Sequence, residues 1–104
     1  MVKDDSIRIT MVQRAIDMLK HLEEMPGAVG VSDMASHLDL PKATVHRILT
    51  TLLDNGLVSK TESDRYLLGL GLIKLASKVK AQQDQLSVAQ PFMTKLAKAT
   101  GEFV

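Results

Sequence analysis

"LDLPKATVHRILTTLLDNGLV", Leu38 to Val58, sets aliphatic residues at helical intervals along a segment that opens on proline and closes on Asn-Gly. Pro41 suits the first turn of a helix, where its missing N–H costs nothing, and Val45, Ile48, Leu49, Leu52 and Leu53 supply the buried stripe. After such a run Asn55-Gly56 reads as a C-cap, with Gly56 in the left-handed conformation and Leu57 folding back, rather than as a hairpin turn. Advancing about 100° per residue puts Ala43, Arg47 and Thr50 outermost on the opposite side, flanked by Lys42, Thr44, His46 and Thr51.

Just upstream, Ser32 can cap a short helix with Asp33 in its first turn and Met34, Ala35 and Leu38 facing inward, ending near Asp39. Two helices joined by a tight turn, with small Ala35 where they cross, have helix-turn-helix spacing. A longer helix is predicted from Met11 to Met25 with Thr10 as its cap, and it carries two apolar stripes. Val12, Ala15, Ile16, Leu19 and Leu22 are expected to face the core. Met11, Ala15, Met18, Leu22 and Met25, spaced four, three, four, three, have a coiled-coil seam rhythm and are expected to meet a second subunit.

Downstream, Leu57-Val58-Ser59-Lys60 and Arg65-Tyr66-Leu67-Leu68 read as two short strands around Thr61-Glu62-Ser63-Asp64. The predicted fold is therefore mainly α, a winged helix-turn-helix of three helices and a two-stranded wing. In such a fold the exposed side of the third helix enters a major groove. Arg47 can pair bidentately with guanine, Thr44 and Thr50 can donate or accept, and the methyls of Ala43 and Thr44 can pack on thymine. Lys42 and His46 flank that face, and Lys60 and Arg65 on the wing would meet the DNA backbone.

Composition narrows the alternatives. The 104 residues hold no cysteine, which removes disulfides and thiolate chemistry, and no run of about 18 apolar residues that could span a membrane. A cytoplasmic location is the expectation. Residues 1–66 hold 8 Lys/Arg against 10 Asp/Glu, and residues 67–104 hold 5 against 2, so any DNA-binding charge must be locally placed. No Walker loop, nucleophile elbow or paired carboxylates occur, and His21, His37 and His46 fall on three helices without ligand spacing, so neither catalysis, metal nor cofactor is expected. His21 and His37 are expected at the surface, and Gly69 and Gly71 to end the wing. The competing reading is a winged-helix protein-interaction module. A positive strip joining Lys42, Arg47, Lys60 and Arg65 would favour DNA, and an apolar or acidic patch there would favour protein.

"LPKATVHRILTTLLDNGLV" followed by "DRYLLGLGLIKLA" resembles the winged helix-turn-helix domain of the isocitrate lyase regulator (IclR) family of bacterial transcription factors, over about residues 10 to 104. Leu40-Pro41-Lys42-x-Thr44-Val45-His46-Arg47, with Arg65-Tyr66 and Gly69, carries the likeness. The family pattern usually has glycine at Asp39, serine at Ala43 and often glycine near Ser63-Asp64. Asp39 can adopt a left-handed turn, while Ala43 removes one polar contact to DNA. The resemblance implies a DNA-binding domain at 1–69, a linker helix at 70–85 and the start of an effector-binding domain at 86–104. It further implies an effector-controlled regulator, a repressor as many relatives are, that binds a palindromic operator in double-stranded DNA as a homodimer, or as a tetramer when intact. The small-molecule effector would be bound by a C-terminal domain lying mostly beyond Val104. Dimerisation is expected through Met11, Met18, Leu22 and Met25 of the first helix and Leu72, Leu75 and Val79 of the linker helix.

Overall fold

A computed structural model describes residues 3–85; the helix and strand expected within 86–104 lie outside the described residues. The elements are α1 (Lys3–Glu24), β1 (Val29–Gly30), α2 (Val31–Leu38), α3 (Lys42–Asp54), β2 (Val58–Lys60), β3 (Arg65–Leu68) and α4 (Gly71–Gln85). The chain divides into two compact units, residues 1–72 and 73–104. In the first unit, α1, α2 and α3 close over an antiparallel sheet of order β1-β3-β2.

Both turns of the helix-turn-helix segment are backbone-encoded. Helix α2 ends with the Leu40 N–H donating to the Ala35 carbonyl (3.0 Å), and Asp39 takes the left-handed conformation at φ 56°, ψ 51°. Helix α3 ends in the same way, with the Leu57 N–H donating to the Leu52 carbonyl (3.0 Å), the Gly56 N–H to the Leu53 carbonyl (3.0 Å) and Gly56 at φ 76°. These are Schellman closures, which satisfy the last helical carbonyls and fold the following apolar residue back. Asp64 in the wing turn is also left-handed, at φ 60°. Aspartate thus fills both positions where the family pattern favours glycine, a conformation that its short polar side chain tolerates better than most.

Three helix starts differ from expectation. Helix α1 begins at Lys3, so Thr10 lies inside it and does not cap it. Gly30 rather than Ser32 is the N-cap of α2, because strand β1 runs directly into the helix and leaves Ser32 inside its first turn. Pro41 is the N-cap of α3, not a residue within its first turn, and its carbonyl accepts the Val45 N–H at 3.1 Å. The strand β1 is a further addition: Val29 pairs with Tyr66 and Gly30 with Arg65, so the two-stranded wing belongs to a three-stranded sheet.

On α1 the expected core residues Ala15, Leu19 and Leu22 do pack inward, but Met18 joins them while Val12 and Ile16 do not. Met18 is 0% exposed and Leu22 6%, both within the core beside Met34, Leu49 and Tyr66. These two residues are therefore not available to a dimer seam. Val12 and Ile16, expected inside, are 57% and 38% exposed. The stripe with four-three spacing is the one set against the sheet and α3, because unbranched methionine fills the irregular space where three helices converge on a strand. Met11 and Met25, at the ends of that stripe, are 36% and 43% exposed.

Candidate nucleic-acid interface

Helix α3 divides along its length. Val45, Ile48, Leu49 and Leu52 are buried, whereas Lys42, Ala43, His46 and Arg47 are exposed and Thr44 and Thr50 half-buried. The core thus fixes the roll of the helix, and the outward side chains follow from it. Near the end of α3 the Thr51 hydroxyl donates to the Arg47 carbonyl (3.0 Å) and the Asn55 amide to the Thr51 carbonyl (2.8 Å). That back-bonding occupies the Thr51 hydroxyl and leaves Lys42 and Arg47 as the long, exposed cations of the helix. Among the described residues no carboxylate pairs with Arg47 or Lys42. Arg47 also rims an open groove whose other lining residues, Met11, Val12, Ala15, Ile48, Thr51 and Leu52, come from α1 and α3.

The wing is a β2–β3 hairpin in which Ser59 pairs with Leu67 and Lys60 with Tyr66. Its turn is tied by the Thr61 N–H to the Arg65 carbonyl (2.8 Å), the Asp64 N–H to the Thr61 carbonyl (3.1 Å) and the Arg65 N–H to Thr61 Oγ1 (3.1 Å). Lys60 Nζ lies 5.9 Å from the centre of the Tyr66 ring and 3.5 Å from Asp64 Oδ1. Arg65 Nη2 lies 3.4 Å from Asp33 Oδ2 on α2. Both wing cations therefore have acidic partners, and both pairs are largely exposed. Asp64 lies only four residues from Lys60 along the chain, but Asp33 is 32 residues from Arg65 and becomes its neighbour only through the sheet.

Of the two histidines expected at the surface, His37 is exposed and His21 is not. His21 is buried and its ring stacks on that of His37 with centroids 3.7 Å apart and planes 18° apart, joining α1 to α2. Parallel rings present their faces rather than two nitrogens to a common point. Among the described residues no three His, Asp or Glu side chains gather as a metal site would require. No helix among them is long and apolar enough to cross a membrane.

Comparison with known proteins gives the same frame. Residues 11–62 match the IclR helix-turn-helix domain. The HTH-type transcriptional repressor AllR of Salmonella paratyphi A is 36% identical over 94 residues, covering 89% of this chain and 35% of that protein, and AllR of Escherichia coli K12 is 35% identical over the same shares. This chain thus spans about a third of the length of the relatives it matches. An IclR transcriptional regulator from Alicyclobacillus acidocaldarius superposes with a TM-score of 0.65 at 32% identity, over 67% of this chain and 29% of that one. The Thermotoga maritima IclR does so at 0.69 and 24% identity, over 90% and 38%, a likeness of fold. With the capped helix pair, the wing and the matched domain in agreement, the chain belongs to the IclR family and contains its helix-turn-helix DNA-binding domain.

Proposed function

We propose that α3 reads base edges in the major groove through Arg47, with Lys42, Ala43, Thr44, His46 and Thr50 around it, while Lys60 and Arg65 of the wing hold the phosphate backbone. One observation carries this reading: the core-fixed roll of α3 leaves Arg47, in the second turn of that helix, exposed and unpaired by any described carboxylate. A guanidinium in that position can donate twice to guanine, and a shift of register along the DNA would lose both bonds. The wing differs in its charge balance, since its cations are partly neutralised and better suited to contacts that any sequence offers.

The intact protein is proposed to be a repressor controlled by a small-molecule effector, in the cytoplasm, acting as a homodimer or tetramer on a palindromic operator. Its relatives named as transcriptional repressors support the regulatory part. A single recognition helix reads few base pairs, so two half-sites about one helical turn apart, or a multiple of it, would supply the missing specificity. The exposed apolar stripe of α1, Ile9, Val12 and Ile16, with Met11 and Met25 at its margins, takes the place of Met18 and Leu22 as a proposed contact. On α4, Leu75 and Val79 are exposed and Leu72 half-exposed, and these remain part of the proposal.

Lys60→Ala and Arg65→Ala should weaken binding to every duplex alike and each reduce the salt slope by about 1; an unchanged slope in both would remove the wing from the backbone. Val12→Glu should lower self-association in sedimentation while the chain keeps its helical circular dichroism, since Val12 is 57% exposed. Association as tight as in the parent chain would exclude this stripe from the interface.

A further inference from the structure

We infer that Asp33 and Asp64 are built-in competitors of the DNA backbone: by occupying the two wing cations in the free protein, they limit how tightly the domain holds any DNA. The inference rests on the wing contacts proposed above and adds two acidic residues to them as determinants of affinity.

The geometry is that of exchangeable pairs. Arg65–Asp33 is a single 3.4 Å contact with side chains 48% and 70% exposed, and Lys60–Asp64 a 3.5 Å contact at 38% and 82%. Solvated pairs of this kind change an equilibrium by a factor of only about 1.5 to 5, so a phosphate row carrying one charge per about 1.7 Å can replace the carboxylate. The replaced carboxylate does not leave. It stays tethered to α2 or to the wing turn, poised to retake the cation whenever the phosphate withdraws. Nothing comparable restrains α3, where Lys42 and Arg47 have no carboxylate partner among the described residues.

Each pair can be neutralised without disturbing the backbone. Asp33 is the third residue of α2, an exposed position where asparagine keeps the side-chain shape. Asp64 is left-handed at φ 60°, a conformation that asparagine also accepts. The probe is a mixed-sequence duplex of three helical turns, about 30 base pairs, titrated by fluorescence anisotropy over a range of salt concentrations. Asp33→Asn and Asp64→Asn should each bind it about two- to fivefold more tightly at low salt. That gain should shrink as salt screens the carboxylate, so the plot of log affinity against log salt becomes steeper. Asp33→Glu should bind like the parent. In an Arg65→Gln background most of the Asp33→Asn gain should vanish, because the carboxylate then has no cation to withhold.

Unchanged or weaker binding by both asparagine variants would overturn the inference, since the carboxylates would then be idle or would aim the cations at the DNA. A full Asp33→Asn gain in the Arg65→Gln background would overturn it too, by showing that the carboxylate acts on the DNA alone. If Lys60→Gln and Arg65→Gln bind as the parent does, the wing does not touch the duplex, and it is the underlying assignment of the wing that fails.

Discussion

Met18→Glu is expected to unfold the DNA-binding unit, not to dissociate a dimer. Met18 is 0% exposed and lies among Leu22, Met34, Leu49 and Tyr66, all of them buried. An ionised carboxylate placed there without a partner costs about 3–5 kcal/mol, against a total stability of roughly 5 kcal/mol or somewhat more for a domain of this size. The variant should therefore show no cooperative thermal transition at neutral pH, with helical circular dichroism largely lost. Met18→Leu, which nearly conserves volume, should cost less than about 1.5 kcal/mol. A folded Met18→Glu chain with altered self-association would mean that the α1 stripe faces outward after all.

The second large effect lies where the wing returns to the helices. The Gly56 carbonyl accepts the Gly71 N–H, and the Gly69 N–H donates to the Leu57 carbonyl, each at 2.9 Å. A Cβ on Gly69 would come within 2.9 Å of the carbonyl carbons of Leu57 and Val58 and closer still to the Gly56 oxygen. These obstacles are backbone atoms, which no rotamer change can move. Gly69→Ala should consequently cost about 3 kcal/mol, near the upper end for overpacking, read as a lower urea midpoint. At Gly27 an added Cβ meets nothing within 4 Å, so Gly27→Ala should leave the midpoint nearly unchanged. Equal midpoints for the two variants would show that the crossing at Gly56 is looser than these distances imply. This close approach is why "GLG" appears after the wing: the glycines end the hairpin, as their position suggested, and also let two backbone segments touch.

What could be read in advance follows from the range over which each signal acts. Helix α3 and its end were legible because an apolar period, a proline and Asn-Gly all act within a few residues. The hairpin was legible for the same reason. Strand β1 was not, since Val29-Gly30 is two residues long and has no period; Val29 is a strand residue because Tyr66 lies opposite it. The roll of α1 is ambiguous because two adjacent apolar stripes share Ala15 and Leu22, and only the location of the sheet decides between Met18 and Val12. The stacking of His21 on His37 and the pairing of Arg65 with Asp33 join α2 to residues 16 and 32 positions away, distances at which a single sequence gives no register. On α3, periodicity identified Lys42, Ala43, His46 and Arg47 as exposed, while Thr50 proved more enclosed than its angle implied.

Whether Arg47 reads sequence is tested most directly by selecting a preferred site from randomised duplexes with the parent chain, then comparing Arg47→Ala and parent on that site and on a mixed-sequence duplex at one salt concentration. Arg47→Ala should lose about 1–3 kcal/mol on the selected site, relax the preference at one base pair, and lose distinctly less on the mixed duplex. An equal loss on both duplexes would make Arg47 a backbone contact and contradict its base-reading role.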